Sequence, residues 1–197
     1  MTPDLADASG SWPVTASRDL YRSDWVMALR ADRVRRPGAQ GEEPFERWVF
    51  EHPGAVIVLA VDDQERVCCL RQYRHAVGGR LVELPAGLRD TAGEDPLETA
   101  RRELREEAEL EARVWRKLFD LYPSAGITDE RQACFLARGL TAATRGDFVP
   151  QHEEADMELV WVPVDELAEA VLDGRVSESP VAVCVLAYLA LRQRGAL

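Results

Sequence analysis

Hydrophobic positions along the 197-residue chain fall into short β-branched or aromatic runs broken by turn residues, with helical spacing in three places. Residues 1–13 are polar and acidic and predict a frayed terminus. Two strand-like segments around 18–34 and 45–51 follow, divided by Arg36-Pro37-Gly38 and Gly41. The run Ala55 to Val61, an Asp62-Asp63 turn and the run Val67 to Tyr73 predict a β-hairpin. Leu81 to Leu84 predicts another short strand. Asp95 as N-cap and Pro96 at the first helical position open a helix that continues to about Glu109. Strand-like runs return at 114–122, 132–137 and 158–162. Two helices close the chain, 164–172 stopped by Gly174 and 180–194 started by Ser179-Pro180. This order predicts an α/β fold, a mixed β-sheet with helices on both faces. Residues 1–50 would form a small N-terminal β appendage and 51–197 the main domain.

Charge narrows what such a fold can bind. A net charge of −11 and a pI near 4.8 exclude a surface that tracks nucleic-acid phosphates, which needs clustered Lys and Arg. An anionic ligand would then need a divalent cation and local arginines to offset the field of the chain. Cys68, Cys69, Cys134 and Cys184 lack metal-knuckle spacing and read as reduced and structural. The N-terminus has no basic or apolar signal region. Val181 to Leu191, the longest apolar stretch, reaches only about half a membrane span. A cytoplasmic location and no membrane partner are the expectations.

The acids of Glu83 to Leu110 carry the chemistry. Glu103, Glu106 and Glu107 stand at i, i+3 and i+4, so one helix face presents three carboxylates. Leu97, Ala100, Leu104 and Ala108 recur on a separate face that can pack down. Glu/Arg-rich faces are commonly just solvated, but carboxylates this dense suit a hard cation, Mg²⁺ or Mn²⁺.

The stretch ELPAGLRDTAGEDPLETARRELREEAEL resembles the Nudix box, whose pattern is Gly, five residues, Glu, seven residues, then Arg-Glu-apolar-x-Glu-Glu-x-Gly-apolar. Gly87, Glu94, Arg102, Glu103, Leu104, Glu106, Glu107 and Leu110 match. Two positions depart: six residues separate Gly87 from Glu94, and Glu109 stands where the last Gly is expected. A Glu there either takes a positive φ at a cost of about 1 kcal/mol or extends the helix. The resemblance implies a Nudix α/β/α sandwich and Mg²⁺-dependent hydrolysis of a pyrophosphate, with Mn²⁺ as a substitute. Glu103 and Glu107 would bind metal with the backbone carbonyl of Ala86. Glu106 would join directly or through bound water, and Arg102 would hold the glutamates. Glu154, or Glu153 beside it in His152-Glu153-Glu154-Ala155-Asp156, matches the loop glutamate that acts as base.

Gln72-Tyr73-Arg74 and Leu81-Val82-Glu83-Leu84-Pro85-Ala86-Gly87 are similar to the entry of ADP-ribose pyrophosphatases in this family, over roughly Trp48 to Pro163. That similarity implies Arg74 and Glu83 at the substrate, and ADP-ribose cut to AMP and ribose 5-phosphate. Ala125 stands where those enzymes carry Pro, which keeps nucleotide sugars, NADH and other nucleoside diphosphate compounds open as substrates. A silent ADP-ribose-binding module is the non-enzymatic alternative. Trp25 and Trp48 offer aromatic faces for adenine, or belong to the core. By the same resemblance the N-terminal appendage implies a homodimer.

Overall fold

The computed structural model describes residues 5–39 and 41–197; the first four positions of the expected frayed terminus lie outside them. Residues 5–13 are exposed and without regular structure. The chain divides into two compact units, one reaching to His52 and taking in Ser124–Asp129, the other formed by Pro53–Pro123 and Glu130–Leu197.

In the first unit, β1 (Val14–Arg22), β2 (Ala28–Val34) and β3 (Phe45–Glu51) form an antiparallel sheet in that order. The segment read as one strand around 18–34 is thus parts of two, joined through a bend at residues 24–26. Arg30 bridges Asp32 and Glu51 at 3.0 and 2.7 Å. Ser124–Asp129 joins this unit through Phe50, whose N–H donates to the Ile127 carbonyl at 2.7 Å.

The second unit holds β4 (Ala55–Ala60), β5 (Arg66–Arg74), β6 (Gly79–Glu83), β7 (Ala86–Leu88), α1 (Pro96–Ala108), β8 (Leu110–Leu121), β9 (Gln132–Ala142), β10 (Glu158–Pro163), α2 (Val164–Leu172) and α3 (Ser179–Gln193). One sheet runs β7-β4-β9-β8, with β4 parallel to β9 and the other pairs antiparallel. A second, antiparallel sheet runs β10-β5-β6.

The hairpin expected from Ala55 to Tyr73 does not form. Its turn exists, because Asp62 Oδ1 accepts from the Gln64 and Arg66 N–H groups at 2.9 and 2.8 Å. Beyond the single bridge between Val61 and Val67, however, β4 and β5 pair in different sheets. Every residue of β4 is buried. A strand covered on both faces reads as continuous hydrophobicity and takes its partners from distant segments.

The alternation of β4 sorts the core. Val56, Val58 and Ala60 pack with Ala100, Leu104 and Ala108 of α1, while Ile57 and Leu59, with Val61 just beyond the strand, pack with Leu167, Val181, Val185 and Tyr188 of α2 and α3. Helices therefore cover both faces of a mixed β-structure, the expected α/β/α arrangement. At about 1.5–3 kcal/mol per fully buried aliphatic side chain, these two layers are the main stabilising term and fix α1 against β4. All four cysteines are free and buried, and burial pushes the Cys68 and Cys69 thiols up to about 12. They are packing residues rather than nucleophiles.

Each helix end that matters has a visible cause. The Asp95 carboxylate accepts from the Leu97 N–H at 2.7 Å and Pro96 follows, which starts α1. At the other end Glu109 takes the left-handed conformation, φ 54° and ψ 40°, so the helix stops rather than extends. The Arg145 guanidinium Nε lies 2.9 Å from its carboxylate. At α3 the capping group is the Glu178 carboxylate, which accepts from the Val181 N–H at 2.8 Å, rather than Ser179.

Candidate active site

The packing of Leu104 and Ala108 into the core turns Glu103 and Glu107 toward β7. Both are almost fully buried, 9% and 8% exposed. Glu107 Oε2 accepts from the Ala86 N–H at 2.8 Å. A Cβ on Gly87 would stand 2.0 Å from Glu103 Cδ, so only a residue without a side chain lets that carboxylate rest on the strand. Arg102 Nη1 lies 2.8 Å from Glu103 Oε1 and donates to Glu106 Oε2 at 3.1 Å, with Glu94 at 3.8 Å from Nη2. Arg102 thereby gathers the carboxylates of the loop and of the helix.

Removal from water dominates the electrostatics. Burial pushes Glu103 up to about 7; the Arg102 charge opposes this, and Glu106 and Glu154 add to it. Burial also drives Glu107 well above the usual carboxylate range, the Ala86 N–H opposing and Glu103 and Glu154 reinforcing. Charged together, these groups require a cation beyond Arg102.

Two further elements close on the same charges. At the end of β5, Arg74 donates through Nε to Glu83 Oε1 at 2.9 Å and through Nη2 to Oε2 at 2.6 Å, a two-point pair with Glu83 at the end of β6. Glu178, unremarked in the sequence, faces that pair: burial pushes it up to about 7, opposed by the Val181 N–H, raised further by Glu83 and lowered by Arg74. Glu154 sits half-buried in the 3₁₀ turn His152–Asp156, near enough for its charge to raise Glu103 and Glu107. Glu153 is exposed and lines a shallow depression with Tyr73, Arg80, His152 and Asp156. Trp25 and Trp48 belong to the other unit and are 62% and 53% exposed, so neither is a core residue of the described chain. Trp48 Nε1 donates to Glu46 at 2.8 Å.

Among the described residues no three His, Cys, Asp or Glu side chains already form a closed metal cage. The donors that do converge, buried carboxylates beside a strand backbone, are hard oxygens and fit a divalent cation completed by water and ligand oxygens.

The NUDIX domain family matches residues 51–181. The ADP-ribose pyrophosphatase of Mycobacterium tuberculosis is 44% identical over 177 residues, spanning 90% of this chain and 83% of that protein. The chain belongs to the Nudix family of hydrolases. The methanol dehydrogenase activator of Bacillus methanolicus is 32% identical over 179 residues, 91% of this chain and 93% of that protein. In fold, the chain resembles the crystal structure of an ADP compounds hydrolase, with a TM-score of 0.76 over 98% of this chain and 100% of that one at 19% identity. Nudix hydrolases generally need a divalent metal, in keeping with the oxygen donors of α1. Both departures from the Nudix pattern are accommodated locally, the added residue in the loop before Asp95 and Glu109 as a left-handed helix stop. No helix among the described residues is long and apolar enough to cross a membrane.

Proposed function

We propose that the chain hydrolyses the pyrophosphate bond of ADP-ribose to AMP and ribose 5-phosphate, with Mg²⁺ as its metal and Mn²⁺ as a substitute. The observation that carries this reading is the buried pair Glu103 and Glu107 against Ala86 and Gly87, with the charge of Glu154 turned on it. The likeness to an ADP-ribose pyrophosphatase along nine-tenths of the chain supports the choice of substrate.

Glu103, Glu107 and the Ala86 carbonyl would hold the cation, with Glu106 joining directly or through water. When bound, the cation neutralises the pyrophosphate oxygens and the leaving phosphate. Arg102 keeps Glu103 and Glu106 in place against their mutual repulsion. Arg74, oriented by Glu83, offers its guanidinium to the substrate. Glu154 takes the proton of the attacking water as the water oxygen bonds to phosphorus and the bridging P–O bond breaks. Glu154 is preferred to Glu153 because Glu154 is the one whose charge bears on Glu103 and Glu107. The reading includes a cytoplasmic homodimer in which Trp25 and Trp48 supply aromatic faces for adenine.

The test is product analysis on ADP-ribose, NADH, nucleotide sugars and 8-oxo-dGTP, each with Mg²⁺ and with chelator. AMP and ribose 5-phosphate formed fastest from ADP-ribose, and only with metal, is the expected result. Faster cleavage of another compound overturns the substrate assignment; binding of ADP-ribose without cleavage overturns hydrolysis.

A further inference from the structure

The turn that carries Glu154 is held from within only by short-range bonds, the Glu154 N–H donating to the Gln151 carbonyl at 2.9 Å and the Met157 N–H to the Glu154 carbonyl at 3.2 Å. His152–Asp156 buries none of its residues, and His152 sits at φ 49°, in the left-handed region that residues other than glycine seldom adopt. The Glu154 carboxylate accepts one long bond, 3.4 Å, from the Gln151 N–H. A segment with no fully buried side chain has little packing to fix its place.

The tie comes from another strand. Arg80 Nη1 donates to the Asp156 carbonyl at 3.1 Å, and Nη2 donates to the Asp156 carboxylate. Arg80 stands opposite Tyr73 in the β5–β6 ladder, while β10, into which the turn leads, lies on the other side of β5. The Arg80 side chain therefore reaches across the central strand, beside Tyr73 in the shallow depression they both line. Two donors of one planar group, on a carbonyl and on a carboxylate of the same residue, fix orientation as well as distance. A lysine ammonium offers the charge without that fork.

We propose that Arg80 is a positioning residue, setting Glu154 relative to Glu103 and Glu107 so that the proton acceptor meets the attacking water. The inference rests on Glu154 being that acceptor. Arg80 does not itself touch the reacting atoms, since its fork is spent on Asp156.

Steady-state kinetics on the full chain with ADP-ribose and Mg²⁺ test it, comparing wild type with Arg80→Ala, Arg80→Lys, Asp156→Ala, the double Ala variant and Glu154→Gln. A shift of the base by about 1 Å is enough for a loss on the order of 10–100-fold in kcat. That loss is expected in Arg80→Ala with KM within about twofold, with partial recovery in Arg80→Lys. The double variant should be no slower than Arg80→Ala, because both substitutions break one tie. Unchanged kcat in Arg80→Ala overturns the proposal. So does a raised KM at unchanged kcat, which would make Arg80 a substrate contact. Wild-type kcat in Glu154→Gln overturns the assignment of the base, whatever Arg80 shows.

Discussion

Replacing Gly87 by Ala tests whether the carboxylate of Glu103 is held where hydrolysis needs it. The added Cβ would lie 2.0 Å from Glu103 Cδ, 2.1 Å from Oε1 and 2.5 Å from Cγ. Carbon–carbon contacts settle near 3.5–4.0 Å, so the carboxylate has to retreat by about 1.5 Å. It can do so by rotating its side chain, while β7 and α1 stay docked through Leu104 and Ala108. Two small stability effects then oppose one another. Ala in an extended segment gains about 0.5–1 kcal/mol over Gly, and a distorted Glu103 rotamer loses about 0.5–1.5 kcal/mol. The melting temperature should move by less than about 4 °C. Activity should not be spared. The displaced group leaves Arg102 Nη1, now 2.8 Å from Oε1, and with it the place where the proposed cation would be held. A misplacement of 1 Å or more costs about a hundredfold in rate. Initial rates on ADP-ribose across a Mg²⁺ titration, beside a melting curve, read both effects. Wild-type rate and metal dependence in Gly87→Ala would refute the reasoning about Glu103. A melting temperature lowered by more than about 10 °C would show that the clash is relieved by the fold and not by the side chain.

Two further outcomes follow from strain and from charge. Glu109→Gly and Glu109→Ala both remove the Arg145 pair, but only Gly relieves φ 54°. The left-handed penalty of about 1–2 kcal/mol, less about 0.4–1 kcal/mol of extra unfolded-state freedom, should leave Gly the more stable by about 0.5–1 kcal/mol. Equal denaturation midpoints for the two would sink the strain argument. Glu178 is pushed up to about 7 from the 4.5 of a free glutamate, so the native state binds the extra proton between those values. Stability contributed by the neutral form is complete below about 4.5 and is lost as pH rises through about 7. Arg74, Glu83 and the Val181 N–H are the groups that face it. Glu178→Gln keeps an acceptor for Val181 and removes the titration, so it should gain on wild type by about 1–2 kcal/mol between pH 5 and pH 8. That figure is the full shift discounted for a half-buried side chain. Urea melts at the two pH values measure it, and a gain of the same size at both would count against the assignment.

How much of this was legible depended on how local its cause was. α1 declared itself through Asp95-Pro96, the spacing of its apolar residues and the i, i+3, i+4 glutamates, all signals contained within one helix. The same segment carried the family pattern, so Glu94, Arg102, Glu103, Glu106 and Glu107 were named before any geometry. The turn at Asp62 was legible too, yet the hairpin was not there. A turn fixes the direction of the chain, whereas Ala55 of β4 pairs with Leu88 in β7 and with Gln132 in β9, both far beyond the turn. The absence of polar alternation from Ala55 to Val61 was the one clue that this strand is covered on both faces. Ser124–Asp129 joined the N-terminal unit through a contact of Phe50 that no local pattern announces. Glu178 and Arg80 were missed for the same reason. Arg80 is an ordinary surface type beside its own neighbours and Glu178 only a helix cap, and the contacts that tie each to the site lie more than 70 positions away.

The charged residues gathered at the site, read from the sequence or not, have an electrostatic property in common. In a chain of net charge −11, Glu103 and Glu107 of α1, Glu83 of β6 and Glu178 at the cap of α3 withdraw from water around Arg74 and Arg102. Taking carboxylates out of water destabilises the fold unless positive charge matches them, and two guanidinium groups do not match that many. The two apolar layers on β4 offset the deficit and keep α1 in place without a cation. A divalent cation that binds only the folded arrangement adds stability with its concentration, as any ligand of the native state does. The same feature thus links folding to function. Carboxylates costly to bury are held ready in a preformed site, and the groups that would stabilise them best, a cation and the Arg74 contact, are those that the proposed hydrolysis would use.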